Sequence, residues 1–502
     1  MEPLTNAAAC LFEIGREHDI ALECGSRSIS YGELKQAVAR SAGAWRRNGL
    51  VTGDRVVIFA PDGIEWVEAY LGAIWAGGVS IGVNPNLSVD ELAPILLESG
   101  VRFVWTSANL TPALVALVGS LAQPLVIVGA GPGCIDWISS CAAASALPPL
   151  PCAAHDMALW IGTSGTTGTP KGVRHSHSVT ASCAAFARDI LGAGPQDRLY
   201  ATSKLFFAYA LANSLFAGLR LGATVILDPE WPTAERVLQM VEMHRPTILF
   251  CVPTLYHKML QSGIAPQLAG RGIRHCISAG EALPPTLRLG WQKAMGLAPI
   301  SGYGTSETLC LMLYCDNDNG RLKPTPLTEL RYEKLPPDLP QRLWVRHPAV
   351  ARGYWQRPQE EADGFHEGWF SPGDMFLRHD GWLEFTGRND DMLKIAGQWV
   401  STQWVEQALL SACGNSVQAL AAIAVKSDDG LTAIAAFLVA TPKQESAARA
   451  SLASGIAGLP RHKRPRWVHW VETLPLTATG KLQRGRLGAL HEQQRKAALP
   501  TS

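Results

Sequence analysis

At 502 residues, the chain is too long for one compact core, so two or more domains are expected. With 47% hydrophobic and 17% charged residues it reads as globular and not disordered. Lys+Arg 44 against Asp+Glu 43 excludes a broad field that would attract nucleic acid or an anionic membrane. The 11 cysteines are scattered without a C-x-x-C pair, which points to reduced thiols in a cytosolic protein, not a disulfide frame or zinc site.

The start, MEPLTNAAACLFEIGREHDI, has Glu2 in place of a basic opening, and Glu13, Arg16 and Glu17 break its apolar run, so no signal peptide is expected. Asp54–Ala60 reads as a buried strand, Asp62–Ala76 as an apolar-faced helix and Gly78–Val83 as a strand. The glycine-rich middle of Trp66–Val83 argues against a membrane helix. Arg102–Thr106 and Pro124–Val128 continue as strands around a helix near Pro112–Leu121. Gly129–Gly133 (GAGPG) lacks dinucleotide-binding spacing and reads as a turn.

Beyond residue 180 the alternation resumes: strand Ala223–Leu227, helix Thr233–His244, strand Thr247–Val252 and helix Leu255–Gln261. Strand Ile273–Ser278, helix Pro285–Ala294 and strand Pro299–Gly302 complete it. Such alternation builds parallel or mixed sheets covered by helices, with ligands at the carboxyl ends of the strands. After about Asp380 the texture changes. Short strands at Trp382–Thr386 and Gln398–Val400 flank a polar turn, Arg388–Asp391. Helix Thr402–Ala412, strands Ala419–Lys426 and Leu431–Ala440, helix Ala447–Gly458 and strand Trp467–Val471 follow. The fold class is therefore α/β: a large N-terminal domain and a small α+β C-terminal domain of about one hundred residues.

The stretch LWIGTSGTTGTPKGVRHSH (Leu159–His177) carries the chemistry. An apolar strand enters a loop with Thr163, Ser164, Gly165, Thr166, Thr167, Gly168 and Lys171. Glycines let backbone N–H groups approach a polyanion, hydroxyls add donors, and lysine adds a compact charge, as a triphosphate requires. It is not a Walker A loop, because the lysine follows proline.

Four later segments recur in order: GYGTSET (Gly302–Thr308), GWFSPGD (Gly368–Asp374), GRNDDMLKIAGQWVS (Gly387–Ser401) and LPLTATGKLQR (Leu474–Arg484). With the loop, they resemble the adenylate-forming superfamily of acyl-CoA synthetases, adenylation domains and luciferases. The resemblance implies a large domain, 1–389, binding ATP and acid, and a mobile lid, 390–502, hinged near Asp390. It implies attack of a carboxylate on the ATP α-phosphate, then displacement of AMP by a thiol, with ATP, Mg²⁺ and CoA taking part.

Residue by residue, it places the β- and γ-phosphates on Thr163–Lys171 and Mg²⁺ on Glu307 with Thr166 or Thr167. Tyr303 resembles the adenine-stacking residue. Gly280, Glu281, Gly304 and Ser306 fall in the motifs SAGEALP and GYGTSET, which should face one crevice with the phosphate loop. Asp374 and Arg388 resemble the ribose contacts, Lys481 the adenylation lysine, and Gly397 the glycine lining the thiol tunnel.

SKLFFAYALANSLFAGL (Ser203–Leu219) resembles the benzoate–CoA ligase group. Phe207, Ala208 and Tyr209 are expected to line a flat slot with Ala279 and Gly280 on one face. Gly302 and Cys310 complete the expected acid site. The chain departs from that group at Cys310 (commonly histidine), at Gln341-Arg342, at His347, in a shortened Gly320–Leu343, and at Thr402 and Trp404. The leading reading is an aryl-carboxylate–CoA ligase acting on a small aromatic acid and CoA in the cytoplasm, with neither nucleic acid nor membrane as partner. Alternatives are a stand-alone adenylation enzyme loading a separate carrier protein, a CoA ligase for a non-aromatic or heteroaromatic small acid, and a non-catalytic nucleotide-binding relative. Lys171, Glu307, Asp374 and Lys481 argue against the last.

Overall fold

The runs RVVIF (Arg55–Phe59), VSIGV (Val79–Val83) and FVWT (Phe103–Thr106) are short, apolar and rich in β-branched and aromatic residues, and they form adjacent parallel strands. The computed structural model describes residues 4–121, 123–163, 171–316, 320–333, 336, 339–388, 392–395, 398–427, 431–441, 444–475 and 482–498. These fall into two compact units: Met1–Arg331 with Trp344–Pro372, and Tyr332–Leu343 with Gly373–Ser502.

The first unit contains two large sheets. One has seven strands in the order Lys171–Ser176, Met157–Thr163, Val79–Val83, Arg55–Phe59, Phe103–Thr106, Val126–Gly129, Ile135–Asp136. It is parallel except where Lys171–Ser176 folds back on Met157–Thr163. GAGPG lies between the last two strands as a turn, with Gly131 at φ 112. The other sheet has nine strands. Its parallel centre runs Ile300–Tyr303, His275–Ser278, Ile248–Cys251, Arg198–Ala201, Thr224–Leu227, Ile20–Cys24, and antiparallel strands finish both margins. The mixed character thus comes from the edges.

A hairpin and a helix precede the sequence-derived alternation, which starts at Asp54, and helix Val89–Ser99 and strand Arg198–Ala201 add to it. Ile20–Cys24 and Arg27–Ser30 pair antiparallel, and helix Tyr31–Arg47 follows directly. Ser30 and Glu33 form a capping box that satisfies the first backbone donors of that helix. Its apolar face packs on helix Ile64–Trp75, where the Trp45 indole donates to the Ala69 carbonyl at 3.0 Å.

The second unit pairs Asp374–His379 with Trp382–Arg388, and Met392–Ile395 with Gln398–Ser401, all antiparallel. Beyond them Ala419–Lys426, Thr432–Val439 and Trp467–Trp470 form a three-stranded sheet. Both faces of that sheet are buried. Ala422, Ile434 and Ala436 face Val405, Leu409 and Leu452, while Ala421, Ile423 and Phe437 face Leu487. Two-sided burial is why these strands read as continuous apolar runs. Helix Thr402–Cys413 is capped by Ser401, whose side chain accepts from the Trp404 N–H at 3.2 Å.

Candidate active site

The phosphate loop is slung between two paired strands. Thr163 and Lys171 are direct partners at the open end of the antiparallel pair Met157–Thr163 and Lys171–Ser176. Ser164, Gly165, Thr166, Thr167 and Gly168 lie outside the described residues. Gly172 follows the lysine for a steric reason: a Cβ there would sit 1.7 Å from the Trp160 ring. The Gly172 carbonyl meanwhile accepts from the Trp355 N–H at 2.8 Å.

The SAGEALP and GYGTSET segments leave neighbouring parallel strands at the same end, since Ser278 pairs with Ser301. Ala279 is buried, whereas Gly280 (φ 90) and Glu281 are exposed, and Glu281 accepts from the Thr254 hydroxyl at 2.8 Å. Gly302 and Tyr303 end their strand, and Tyr303, Gly304 and Ser306 are half-buried. The loop after them is tightly turned: the Thr305 N–H donates to the Thr308 hydroxyl at 2.9 Å.

Glu307 is buried, and its Oε1 accepts from the Tyr354 hydroxyl at 2.7 Å. The Tyr354 ring in turn lies 5.4 Å from the Lys171 ammonium, which is 4.0 Å from Glu360. Residues 351–355 stitch this together. The Ala351 N–H donates to the Glu307 carbonyl at 2.7 Å, and Arg352 and Gly353 exchange backbone bonds with Arg174. On this side the strand bearing Lys171 and the loop bearing Glu307 are thus joined through residues 351–355.

The segment Ser203–Leu219 is held at its start by buried charges. The Lys204 ammonium donates to the Asp228 carbonyl at 2.6 Å, and the Asp62 carboxylate accepts from the Leu205 N–H at 3.1 Å. Burial raises the Asp62 carboxyl above the usual carboxylate range and lowers Lys204, while each charge opposes the other's shift. Phe206 is buried with its ring 4.3 Å from that of Phe207, and Phe207, Ala208 and Tyr209 are half-buried. The Tyr209 ring packs edge-on against Phe250 beside Ala279 and Leu311. Its hydroxyl donates to the Ile277 carbonyl at 3.0 Å, so its proton is already engaged. A π-helical turn, Leu211–Phe216, follows. Cys310 is buried, and its thiol meets that of Cys183 at 3.5 Å.

In the second unit, Asp374 and Arg388 are register partners on adjacent strands, so the two expected ribose contacts share one end of a ladder. Asp374 is buried. Asp390, Gly397 and Lys481 lie outside the described residues, but the flanks of the last are fixed. The Gln483 N–H donates to the Pro475 carbonyl at 2.8 Å, and Arg484 binds Glu406 at 2.7 Å and the Ala422 carbonyl at 2.6 Å.

Three residues at the site went unrecognised in the sequence. Tyr354 sits in ARGYW, a segment with no obvious polar signature, and Asp62 and Lys204 are ordinary until folding buries them together.

Among known proteins, a family described as AMP-binding enzyme matches residues 15–355. The chain is 38% identical over 492 residues to a 3-hydroxybenzoate–CoA ligase of Aromatoleum sp. (strain CIB), covering 94% of this chain and 93% of that one. It is 34% identical over 480 residues to a benzoate–CoA ligase of Thauera aromatica, covering 92% and 90%. The crystal structure of the anthranilate CoA ligase AuaEII in complex with anthranoyl-AMP superposes with TM-score 0.90 at 28% identity, covering 99% of both chains.

Proposed function

The chain belongs to the AMP-binding enzyme family, and from that premise we propose that it is an ATP-dependent aryl-carboxylate–CoA ligase. A carboxylate oxygen of a benzoate-sized acid attacks the α-phosphorus of ATP, and diphosphate leaves. The CoA thiol then attacks the acyl carbon of the adenylate, AMP leaves, and the thiol proton passes to solvent. The observation that carries this reading is the linked set of Lys171, Tyr354 and Glu307 in a chain similar to aryl-CoA ligases.

Catalysis of adenylation is mainly positioning and charge neutralisation. Lys171 and the loop from Thr163 grip the terminal phosphates. Glu307 suits a cation: it is a buried carboxylate with no ion-pair partner among the described residues. Magnesium keeps few protein ligands and relies on phosphate oxygens, so Glu307 with Thr166 or Thr167 fits it, and the ion supplies further neutralisation of phosphate charge. Tyr303 stacks the adenine, and Asp374 with Arg388 takes the ribose hydroxyls. Lys481 bridges carboxylate and phosphate on a lid, 390–502, that turns near Asp390 and later brings Gly397 to the thiol.

Among the described residues no helix is long and apolar enough to cross a membrane. The free cysteines fit a reducing compartment, the cytoplasm. The test is diphosphate release across small aromatic, heteroaromatic and aliphatic acids, with and without CoA. Aryl-CoA formation from a benzoate-sized acid is the expected result. Adenylate formed but released to thioester only by a carrier protein, with CoA inert, rejects the CoA reading.

A further inference from the structure

Opposite charges shielded from water attract each other strongly, yet the half-buried Lys171 and the buried Glu307 form no ion pair with each other. Both meet Tyr354 instead: the ammonium lies 5.4 Å from its ring centroid, and the carboxylate Oε1 accepts from its hydroxyl at 2.7 Å. Glu307 Oε2 takes no hydrogen bond from any described residue. Tyr354 is itself held on three sides. Its N–H donates to Glu361 at 3.1 Å, its backbone bridges Val173 in the phosphate strand, and its ring packs edge-on against Phe365 at 5.4 Å. Glu361 is fixed by Arg174 at 2.8 Å.

We propose that Tyr354 is a positioning residue for the nucleotide's divalent cation: it fixes the Glu307 rotamer through Oε1, leaves Oε2 to the ion, and keeps Lys171 for phosphate. The proposal rests on the reading of Glu307 as the metal carboxylate. A hydrogen bond to a charged group is among the stronger ones, and its loss frees a side chain that must otherwise be ordered for each binding event. The phenylalanine variant keeps the ring under Lys171 and removes only the hydroxyl.

The experiment compares wild type, Tyr354→Phe, Glu307→Gln and the double variant. The Mg²⁺ concentration for half-maximal ATP–diphosphate exchange is measured at saturating ATP and acid. In parallel, the rise in melting temperature given by Mg²⁺ with ATP over ATP alone is recorded, without turnover. Tyr354→Phe is expected to raise the Mg²⁺ requirement about 10-fold, to lose most of the metal-dependent rise in melting temperature, and to leave the acid KM and the ligand-free melting temperature near wild type. In the Glu307→Gln background it should add nothing, because both changes act on one contact. A normal Mg²⁺ dependence in Tyr354→Phe beside a shifted one in Glu307→Gln overturns the role of Tyr354 alone. Additive effects overturn it as well. Unchanged Mg²⁺ dependence in Glu307→Gln removes the metal assignment and the proposal with it.

Discussion

His175 donates its Nε2 proton to the Ser306 carbonyl oxygen across 2.8 Å, tying the strand that begins at Lys171 to the loop that carries Glu307. A carbonyl can only accept, so Nε2 carries the proton. Burial pushes its pKa from 6.5 down to about 4, and it does the same to His177 and His347. The last two accept backbone N–H groups of Ala7 and Ala349 on Nδ1, which a proton would displace.

The sign of the pH effect follows. Between about 4 and 6.5 the unfolded chain binds protons on these histidines and the native chain does not, so stability rises with pH through that window. For His175 the difference is about 3 kcal/mol, fully lost only below pH 4. Unfolding free energies measured from pH 7 to pH 4 should fall steeply, and His175→Gln, which retains an N–H donor, should flatten that slope. An unchanged slope would show that His175 titrates normally in the folded protein.

A second expectation concerns the acid. In the proposed reading the rings of Phe207 and Tyr209, the latter bound to the Ile277 carbonyl, wall a flat acid slot. Benzoate-sized planar acids should exceed fatty acids by at least ~10-fold in kcat/KM, or ~1.4 kcal/mol of transition-state discrimination. Equal turnover of octanoate would exclude the flat slot.

The anchor of that segment can be tested separately. Asp62→Ala leaves the buried Leu205 N–H without its acceptor and removes one of the two carboxylates that favour the Lys204 charge, at a cost on the order of 1–3 kcal/mol in stability. It should raise the acid KM several-fold and leave the ATP KM unaltered, whereas Asp62→Asn, which keeps an acceptor for Leu205, should recover most of the loss. Steady-state kinetics in both substrates decide this. A matching rise in the ATP KM would mean a general disturbance of the fold.

The two lysines should separate by half-reaction. Lys481→Ala is expected to slow adenylation roughly 10²–10³-fold, the size of losing one donor to developing charge. It should still convert synthetic acyl-AMP and CoA to thioester at near wild-type rate. Lys171→Ala should weaken the phosphate grip, raising the ATP KM and lowering kcat together. Failure of Lys481→Ala on synthetic acyl-AMP would refute the division of labour.

The strand–helix alternation was legible because its signals are local. Arg55–Phe59, Thr224–Leu227 and Ala419–Lys426 announce themselves as apolar runs, and helix Thr402–Cys413 appears by its periodicity. The motifs that place the chain in the AMP-binding enzyme family were legible too, because the proposed grip on a polyanion calls for glycine, hydroxyl and lysine close together in sequence. Helix Tyr31–Arg47 has a local marker too, in the capping box of Ser30 and Glu33.

What sequence alone could not determine are the partners that lie far apart along the chain. Tyr354 reaches Glu307 across 47 positions, His175 reaches Ser306 across 131, and Leu205 reaches Asp62 across 143. The return of Lys171–Ser176 onto Met157–Thr163 likewise shows only in the sheet. A tyrosine, a histidine or an aspartate has the same local propensities wherever its side chain ends. Only packing decides which carbonyl or carboxylate it meets, and only burial then gives that contact its strength.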